Sequence, residues 1–149
     1  MVKEYVIYKG KEEIISGPSP LEITGIEPNT EVSAGTYKIA YKGSQDFTDI
    51  PAFKTLPISV KSVTLSPKTS TADAGVAGNR QLTTTITPEN ATNKKVSYKI
   101  EPATEGLAVS GTGNVTWTEK VPKGEYVTTV TTEDGKKTDT HKLTLNEPA

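Results

Sequence analysis

Residues 60–145 constrain the fold most strongly, because they form one short run of alternating apolar and polar residues after another. Gly, Pro, Asn and Asp stand between these runs, where chain reversals need them. Alternation with a period of two is typical of strands that bury one face. Ten prolines lie between Pro18 and Pro148, and no stretch carries apolar residues at helical spacing. The sequence therefore predicts an all-β chain.

Length and composition limit the size of each domain. A chain of 149 residues can form one large domain or two small ones. Apolar residues make up 33% of the chain and aromatic residues 6%, which favours small sandwiches with thin cores over one deep globule. We therefore expect two domains, over residues 1–57 and 58–149, joined directly after Pro57 as two stiff modules in tandem.

Charge and cysteine content exclude several classes of partner and site. The 17 basic groups nearly balance the 18 acidic groups, so no electrostatic field attracts nucleic acid or an anionic membrane, and we expect neither as a partner. The absence of cysteine excludes disulfides and thiolate metal sites. The N-terminal segment lacks the apolar run of a signal peptide. With Met1 as the natural start, we expect synthesis and release in the cytoplasm.

The first region contains five candidate strands. They cover residues 5–8, 13–15, 21–24, 35–42 and 52–55. The clearest is the fourth, in which Tyr37, Ile39 and Tyr41 share one face while polar and charged residues share the other. This is the pattern of a half-buried antiparallel strand, so these three side chains should face the core.

One stretch of the first region, ITGIEPNTEVSAGTYKIAYKG followed by DIPAFKT, resembles the second half of a fibronectin type III domain. Ile26, Pro28, Asn29 and Thr30 fit the corner that leads into the family's tyrosine-containing strand. Val32 stands where the family often has its corner tyrosine. A full immunoglobulin-like sandwich needs about 100 residues, more than this region has. The resemblance therefore implies a partial fibronectin III-like β module.

The second region gives a complete set of strands for a sandwich. Their inward residues are Val63 and Leu65; Leu82, Thr84 and Ile86; Val96, Tyr98 and Ile100; Tyr126, Thr128 and Val130; Leu143 and Leu145. Residues 107–109 should pair with residues 115–117 across a glycine turn, and Asp134-Gly135 predicts a two-residue hairpin. Seven strands with these spacings predict a Greek-key β-sandwich.

Four phrases of the second region resemble the bacterial immunoglobulin-like group 2 family: VTLSPKTSTADAG, QLTTTITPENATNKKVSYKI, LAVSGTGNVTW and KGEYVTTVTTEDGKKTDTHKLTL. The family commonly has Trp-x-Ser where this chain has Tyr98-Lys99-Ile100, and a small residue where Trp117 stands. We expect Trp117 to be a core residue; the alternative is a ligand platform. The resemblance implies a group 2 sandwich, in a family whose modules hold or space and seldom catalyse.

His141 is the only histidine, and Asp139 lies two residues earlier on the same face of the last strand. One interpretation is an acid–base pair that activates a serine. The other, which we favour, is a histidine at the rim of the sheet near an exposed aspartate. The chain has no nucleophile-elbow motif. We therefore expect no catalytic residue.

Carboxylates and glycines give the remaining candidates. The metal candidates are Asp46 and Asp49 in one group and Glu133, Asp134 and Asp139 in another. Neither group has the ligand spacing of a calcium loop, so we expect no metal and no cofactor. Glu12 and Glu13 are adjacent and point to opposite faces of a strand, which makes them a solvated edge. Residues 75–78 lack the context of a phosphate loop and read as a crossover between strands.

Threonine crowds several strands, notably at 83–85, 128–129 and 131–132. One interpretation is a flat polar face for adhesion or an ice-like ligand. The other, which we favour, is that threonine suits strands and covers exposed sheets with hydroxyl groups. The sequence names no binding residue by itself.

These features favour a structural or display protein over an enzyme. The first hypothesis is a structural protein of a bacteriophage virion, decorating the head or associated with the tail, because modules of both resembled families are known there. Its partner would be a capsid or tail protein of the same virion, with self-association as a further expectation. The sandwich would touch host-surface carbohydrate weakly. The alternative is an extracellular spacer or adhesion module of a larger bacterial surface protein.

Overall fold

The computed structural model describes residues 2–148, which form β-strands, turns and loops without a helix. The all-β prediction is confirmed. The chain divides into two compact units, the first ending at Pro57 and the second beginning at Ile58. No helix within residues 2–148 is long and apolar enough to cross a membrane.

Within residues 2–57, six strands form the first unit. They are β1 (Glu4–Lys9), β2 (Glu12–Pro18), β3 (Glu31–Val32), β4 (Tyr37–Tyr41), β5 (Thr48–Asp49) and β6 (Phe53–Lys54). An antiparallel sheet has the order β2-β1-β4-β5, and β3 pairs with β6 in a second, two-stranded sheet. Ile7, Val32 and Tyr37 are buried between them. The half-buried residues around this core are Ile15, Leu21, Ile23, Ile26, Ile39, Ile50 and Phe53.

The strand predicted at residues 21–24 is wrong. Leu21 and Ile23 are half-buried against the core, but within the described residues their segment joins no sheet. Pro20, just before the segment, has no N–H group to donate to a ladder. The alternation of the sequence therefore indicates which side chains face the core, and not whether the backbone pairs.

Strand β4 buries residues on both faces, where the sequence predicts one buried face. Tyr37 and Ile39 face the core as predicted. Tyr41 shares their face but ends the strand, and its side chain is 50% exposed. On the opposite face, Ala40 is buried together with its cross-strand neighbour Val6. The two central strands are therefore more enclosed than the end of the sheet that carries Tyr41.

In the second unit, the part of the chain up to residue 148 forms nine strands. They are β7 (Ser62–Ser66), β8 (Thr69–Asp73), β9 (Gly78–Gln81), β10 (Thr83–Thr87), β11 (Val96–Glu101), β12 (Leu107–Val109), β13 (Asn114–Trp117), β14 (Gly124–Thr132) and β15 (Thr138–Asn146). One layer has the order β11-β14-β15-β8, and the other contains β10-β7 and β12-β13-β9. Because the inward faces of both layers enclose one core, this unit is an immunoglobulin-like β-sandwich, as predicted.

Two features raise the seven predicted strands to nine. Strand β8, which the sequence did not predict, pairs in parallel with β15 and so lies in the layer opposite β7. The strand predicted over residues 81–87 is divided at Leu82, whose N–H group donates to the Gly113 carbonyl oxygen at 2.9 Å. The first part pairs with β13 and the second with β7.

Trp117 belongs to the core of the sandwich. Its pairing partner is Leu107, so the predicted pairing of residues 107–109 with 115–117 is confirmed. The indole is only 6% exposed, and its Nε1 donates to the Val76 carbonyl oxygen at 3.0 Å. A Cβ at Gly78 would lie 2.6 Å from an indole carbon, so the ring packs directly on that backbone. The core interpretation of Trp117 is confirmed, and the ligand platform is excluded.

The connection between β14 and β15 is longer than the predicted two-residue hairpin and spans residues 133–137. The Thr132 N–H group donates to the Lys137 carbonyl oxygen at 2.9 Å, and the Thr132 hydroxyl donates to the Asp134 carbonyl oxygen at 2.6 Å. The Asp134 carboxylate accepts from the Val60 N–H group at 2.7 Å. This bond to a distant segment stabilises the wider loop, which a local turn motif does not predict.

Candidate functional site

His141 lies inside the second unit and not at the rim of the sheet. Its side chain is 0% exposed. Nδ1 donates to the Pro67 carbonyl oxygen at 2.7 Å, since that oxygen only accepts, and Nε2 accepts from the Ser70 hydroxyl at 3.0 Å. The predicted rim position is wrong. The phase of β15 carried the signal, because His141, Leu143 and Leu145 alternate on one inward face.

Asp139 does not orient His141. Its carboxylate accepts from the Leu65 N–H group at 2.6 Å and forms an ion pair with Lys68. Burial acts to raise the pKa of the Asp139 carboxyl, but hydrogen bonds from Lys68 and from the Leu65 and Thr140 amides hold that pKa below its ordinary value. A triad needs the carboxylate on the histidine. The contacts found here tie the first strands of the sandwich to β15.

The other acidic candidates are used in local structure or lie at the surface. Asp49 faces Lys38 at 3.4 Å, and Asp134 holds the loop described above. Glu12 and Glu13 are exposed on β2. Within the described part of the chain, no group of three or more His, Cys, Asp or Glu side chains could hold a metal ion. Residues 74–77 connect β8 to β9, which begins at Gly78, and so cross from one layer to the other as predicted.

Threonines divide between the core and both outer faces of the sandwich. Thr128 and Thr132 are fully buried: Thr128 faces inward as predicted, and for Thr132 the surface interpretation is wrong. Outward threonines lie on both layers: Thr69, Thr71, Thr129, Thr131, Thr138, Thr140 and Thr144 on one, and Thr64, Thr83, Thr85, Thr87 and Thr116 on the other. Because both outer faces carry hydroxyl groups, threonine content marks neither as a binding face.

A concave site lies at the β4–β5 side of the first unit. This tyrosine groove has a volume of about 380 Å³ and is lined by Tyr5, Ile39, Ala40, Tyr41, Ser44, Asp46 and Thr48. Tyr5 and Tyr41 are opposite each other in strands β1 and β4, and their rings stack with centroids 5.0 Å apart. Interaction with the Tyr41 hydroxyl raises the pKa of Tyr5 above its ordinary value. The strand register therefore places two phenol groups side by side at the groove.

Charged groups surround the tyrosine groove in a balanced way. The Asp46 N–H group donates to the Ser44 hydroxyl oxygen at 3.0 Å, and within residues 2–148 the Asp46 carboxylate joins no ion pair. Lys42 pairs with Glu4 at 2.6 Å, which raises the pKa of Lys42. The Lys3 ammonium lies 5.4 Å from the centroid of the Tyr41 ring. Two cations thus accompany two anions.

Sequence reasoning missed this groove. It assigned Tyr41 to the buried face and considered Asp46 only as a metal ligand. A usable signal was the concentration of aromatic residues in the first region: Tyr5, Tyr8, Tyr37, Tyr41, Phe47 and Phe53 stand there, against Tyr98, Trp117 and Tyr126 in the second. A unit with so small a core does not bury every one of its rings.

Among known proteins, similarity is found to a virion protein. No family model matches the chain. Over 90 residues, the chain is 40% identical to an Ig-like virion protein of Serratia phage KSP90. The match covers 60% of this chain and 33% of that protein. The chain thus spans about a third of the length of the curated relative it matches.

Solved structures that align with the chain contain immunoglobulin, cadherin and fibronectin III-like domains. Drosophila N-cadherin EC1-4 is 10% identical with a TM-score of 0.49, over 99% of this chain and 41% of that chain. Dscam1 isoform 7.44 is 16% identical with a TM-score of 0.46, over 97% and 37%. The Clostridium thermocellum CbhA fibronectin(III)-like modules are 14% identical with a TM-score of 0.37, over 98% and 79%. The sandwich assignment depends on the sheet topology, and the group 2 and fibronectin III resemblances stay predictions.

Proposed function

We propose that this chain is a structural, non-enzymatic protein of a bacteriophage virion, attached to the head or associated with the tail. The observation that supports this most directly is the 40% identity over 90 residues to an Ig-like virion protein. The inside of the sandwich agrees with a scaffold, since the only histidine uses both ring nitrogens in core hydrogen bonds. The imidazole has no exposed surface, so its hydrogen bonds to Ser70 and Pro67 hold strands together inside the core and are not open to a substrate.

The first unit is the part that docks on a capsid or tail protein or on further copies of the chain. Within the described residues, the outer edge of its strand β2 pairs with no other strand. Such an edge offers unpaired N–H and C=O groups to an incoming strand. Ile14 on this strand is 39% exposed and adds apolar surface. Because the unit has a small core, it has low stability by itself, and binding to a partner would stabilise it. The tyrosine groove lies at the other side of the sheet and stays open.

Mass spectrometry of purified virions from the phage that encodes the chain tests the proposed location. We expect peptides from both units at a constant ratio to the major capsid or tail protein. Absence of the polypeptide from virions contradicts the proposal. Its recovery from a bacterial cell surface instead supports the alternative, a spacer or adhesion module of a larger surface protein.

Light scattering combined with limited proteolysis tests the docking edge. We expect the purified chain to self-associate as its concentration rises, and its first unit to become protease-resistant in parallel. Ile14→Lys places a charge on the β2 edge. It should raise both the concentration at which the chain self-associates and the concentration at which the first unit becomes protease-resistant. Val127→Lys is the matched control, because Val127 is 37% exposed on the sandwich. A monomer with a resistant first unit at every concentration contradicts self-association.

A further inference from the structure

Exposed aromatic rings are common anchors of recognition sites, and in this chain they lie in the first unit. Tyr41 is 50% exposed and Phe47 45% exposed. In the sandwich, Trp117 and Tyr126 are buried, and Tyr98 is half-buried with its hydroxyl hydrogen-bonded inside the unit. The sandwich therefore offers hydroxyl groups without rings, whereas the first unit offers both.

We propose that the tyrosine groove binds an uncharged pyranose sugar. The inference rests on the proposed function, a bacteriophage virion protein, and it moves the carbohydrate contact that the sequence led us to expect of the sandwich to the first unit. A pyranose has an apolar C–H face, which packs on an aromatic ring, and a rim of hydroxyl groups, each of which needs a hydrogen-bond partner. The groove contains partners of both kinds.

The apolar part of the site consists of the stacked pair Tyr5 and Tyr41, with Ile39 beside them on the same face of the sheet. Strands β1 and β4 fix the pair, because the two tyrosines are opposite each other in the antiparallel register. The site is therefore formed before a ligand arrives. A pre-formed aromatic surface lowers the entropic cost of ordering side chains on binding.

The polar part of the site consists of Asp46, Ser44 and Thr48. The Asp46 carboxylate has two oxygens that accept from neighbouring sugar hydroxyls, and no cation competes for them within residues 2–148. The Ser44 oxygen already accepts from the Asp46 amide but keeps its own hydrogen to donate. Thr48 adds a second hydroxyl. A sugar thus finds acceptors and donors on one side and rings on the other.

Size and charge narrow the ligand class. Small-ligand sites have volumes of about 300–1,000 Å³, and the groove, at about 380 Å³, suits one or two sugar residues. Lys3 and Lys42 are balanced by Glu4 and Asp46, so an anionic sugar gains nothing over a neutral one. For so open and small a contact we expect a dissociation constant on the order of 1 mM. Many copies on one virion would raise the total strength of attachment.

A titration of the full-length chain tests the site. Methyl glucoside, methyl galactoside and N-acetylglucosamine are each added to about 50 mM, above the expected dissociation constant, and followed by ¹H–¹⁵N NMR. We expect saturable shifts of the Tyr5, Tyr41 and Asp46 amides with at least one sugar. Tyr41→Ala should weaken binding about tenfold and Asp46→Asn several-fold. Phe47→Ala removes an exposed ring outside the groove and should leave binding unchanged.

Three outcomes overturn the inference: no saturable shift with any of the three sugars, unchanged binding in both Tyr41→Ala and Asp46→Asn, or an equal loss in Phe47→Ala. Both groove variants alter exposed side chains, so we expect them to keep the fold. Their ¹H–¹⁵N spectra check this directly. The virion location is tested separately by mass spectrometry. Virion incorporation without sugar shifts contradicts only this inference, and sugar shifts in a chain absent from virions contradict only the proposed location.

Discussion

The two units of the chain use their apolar residues in opposite ways. The sandwich encloses a core of buried residues between two layers: Val63, Leu65, Ala74, Leu82, Leu107, Val115, Trp117, Val121, Tyr126, Val130, Leu143 and Leu145. The described part of the first unit buries five apolar residues, Val6, Ile7, Val32, Tyr37 and Ala40, and leaves Tyr41 and Phe47 at the surface. Buried apolar surface is therefore concentrated in the second unit, and exposed aromatic surface in the first.

The difference between the units also explains where a partner has most effect. A unit with a small core has a low free energy of unfolding. Binding to a lattice or to another copy of the chain therefore raises its folded fraction strongly. The sandwich needs no such help. Three sets of substitutions test this contrast, beginning with the one of largest expected effect.

Ile7→Ala should unfold the first unit and leave the second folded. Truncating a buried isoleucine costs about 2–5 kcal/mol, which is comparable to the whole stability of so small a unit. In the ¹H–¹⁵N NMR spectrum of the dilute full chain, signals of residues 4–54 should collapse to random-coil positions. Leu143→Ala is the matched control in the sandwich, which should stay folded with a lower melting temperature. A first unit that keeps its dispersed signals contradicts the contrast.

Trp117→Ala should destabilise the sandwich by about 3–5 kcal/mol without unfolding it, because it empties a large part of the core. Gly78→Ala should cost about 1–3 kcal/mol, because its new Cβ overlaps the Trp117 ring. Urea denaturation measures both. The double variant should lose less than the sum, since the overlap disappears with the indole. Gly111→Ala is the control, because a Cβ added there would meet no other part of the chain within 4 Å. Additive losses contradict the direct contact.

Asp139→Asn should destabilise the sandwich by about 1–2 kcal/mol at neutral pH, through loss of charge-assisted hydrogen bonds. The pKa of Asp139 lies below its ordinary value in the folded chain, so the carboxylate stabilises the fold above the unfolded-state pKa. That contribution disappears as the pH falls through the folded-state pKa, in the region below about pH 4. Urea denaturation between neutral and acidic pH should show the two proteins converging at low pH.

Asp46→Asn is the matched control for this titration, because Asp46 forms no ion pair within the described residues. At neutral pH its stability should equal that of the wild type, because no ion pair is lost. A constant difference between Asp139→Asn and wild type over the whole range shows that the loss comes from geometry and not from the charge of Asp139.

Much of the sandwich could be predicted from the sequence, because its signals are local. Alternation put Val63 and Leu65 on the buried face, and the glycine turn fixed the pairing of residues 107–109 with 115–117. Both depend on neighbours along the chain and on the geometry of a strand. The same local pattern gave a wrong prediction at residues 21–24, where the side chains alternate but the backbone pairs with no strand among the described residues.

The site was harder to predict than the fold. Tyr5, Tyr41 and Asp46 come from two strands and a loop, and only the register of β1 against β4 brings the two rings together. His141 gave a second lesson. It was read as a rim residue from its chemical type, although its phase along β15 matched that of Leu143 and Leu145. Position in a strand was the stronger signal.

The sequence by itself determined that this chain is built from strands, and which faces of most strands are apolar, because side-chain alternation and turn residues act over a few neighbouring positions. Only the tertiary structure decided that His141 is buried, that strand β8 lies opposite β7, and that two tyrosines meet at an open groove. These depend on contacts between residues far apart in the chain, whose energies no local pattern records.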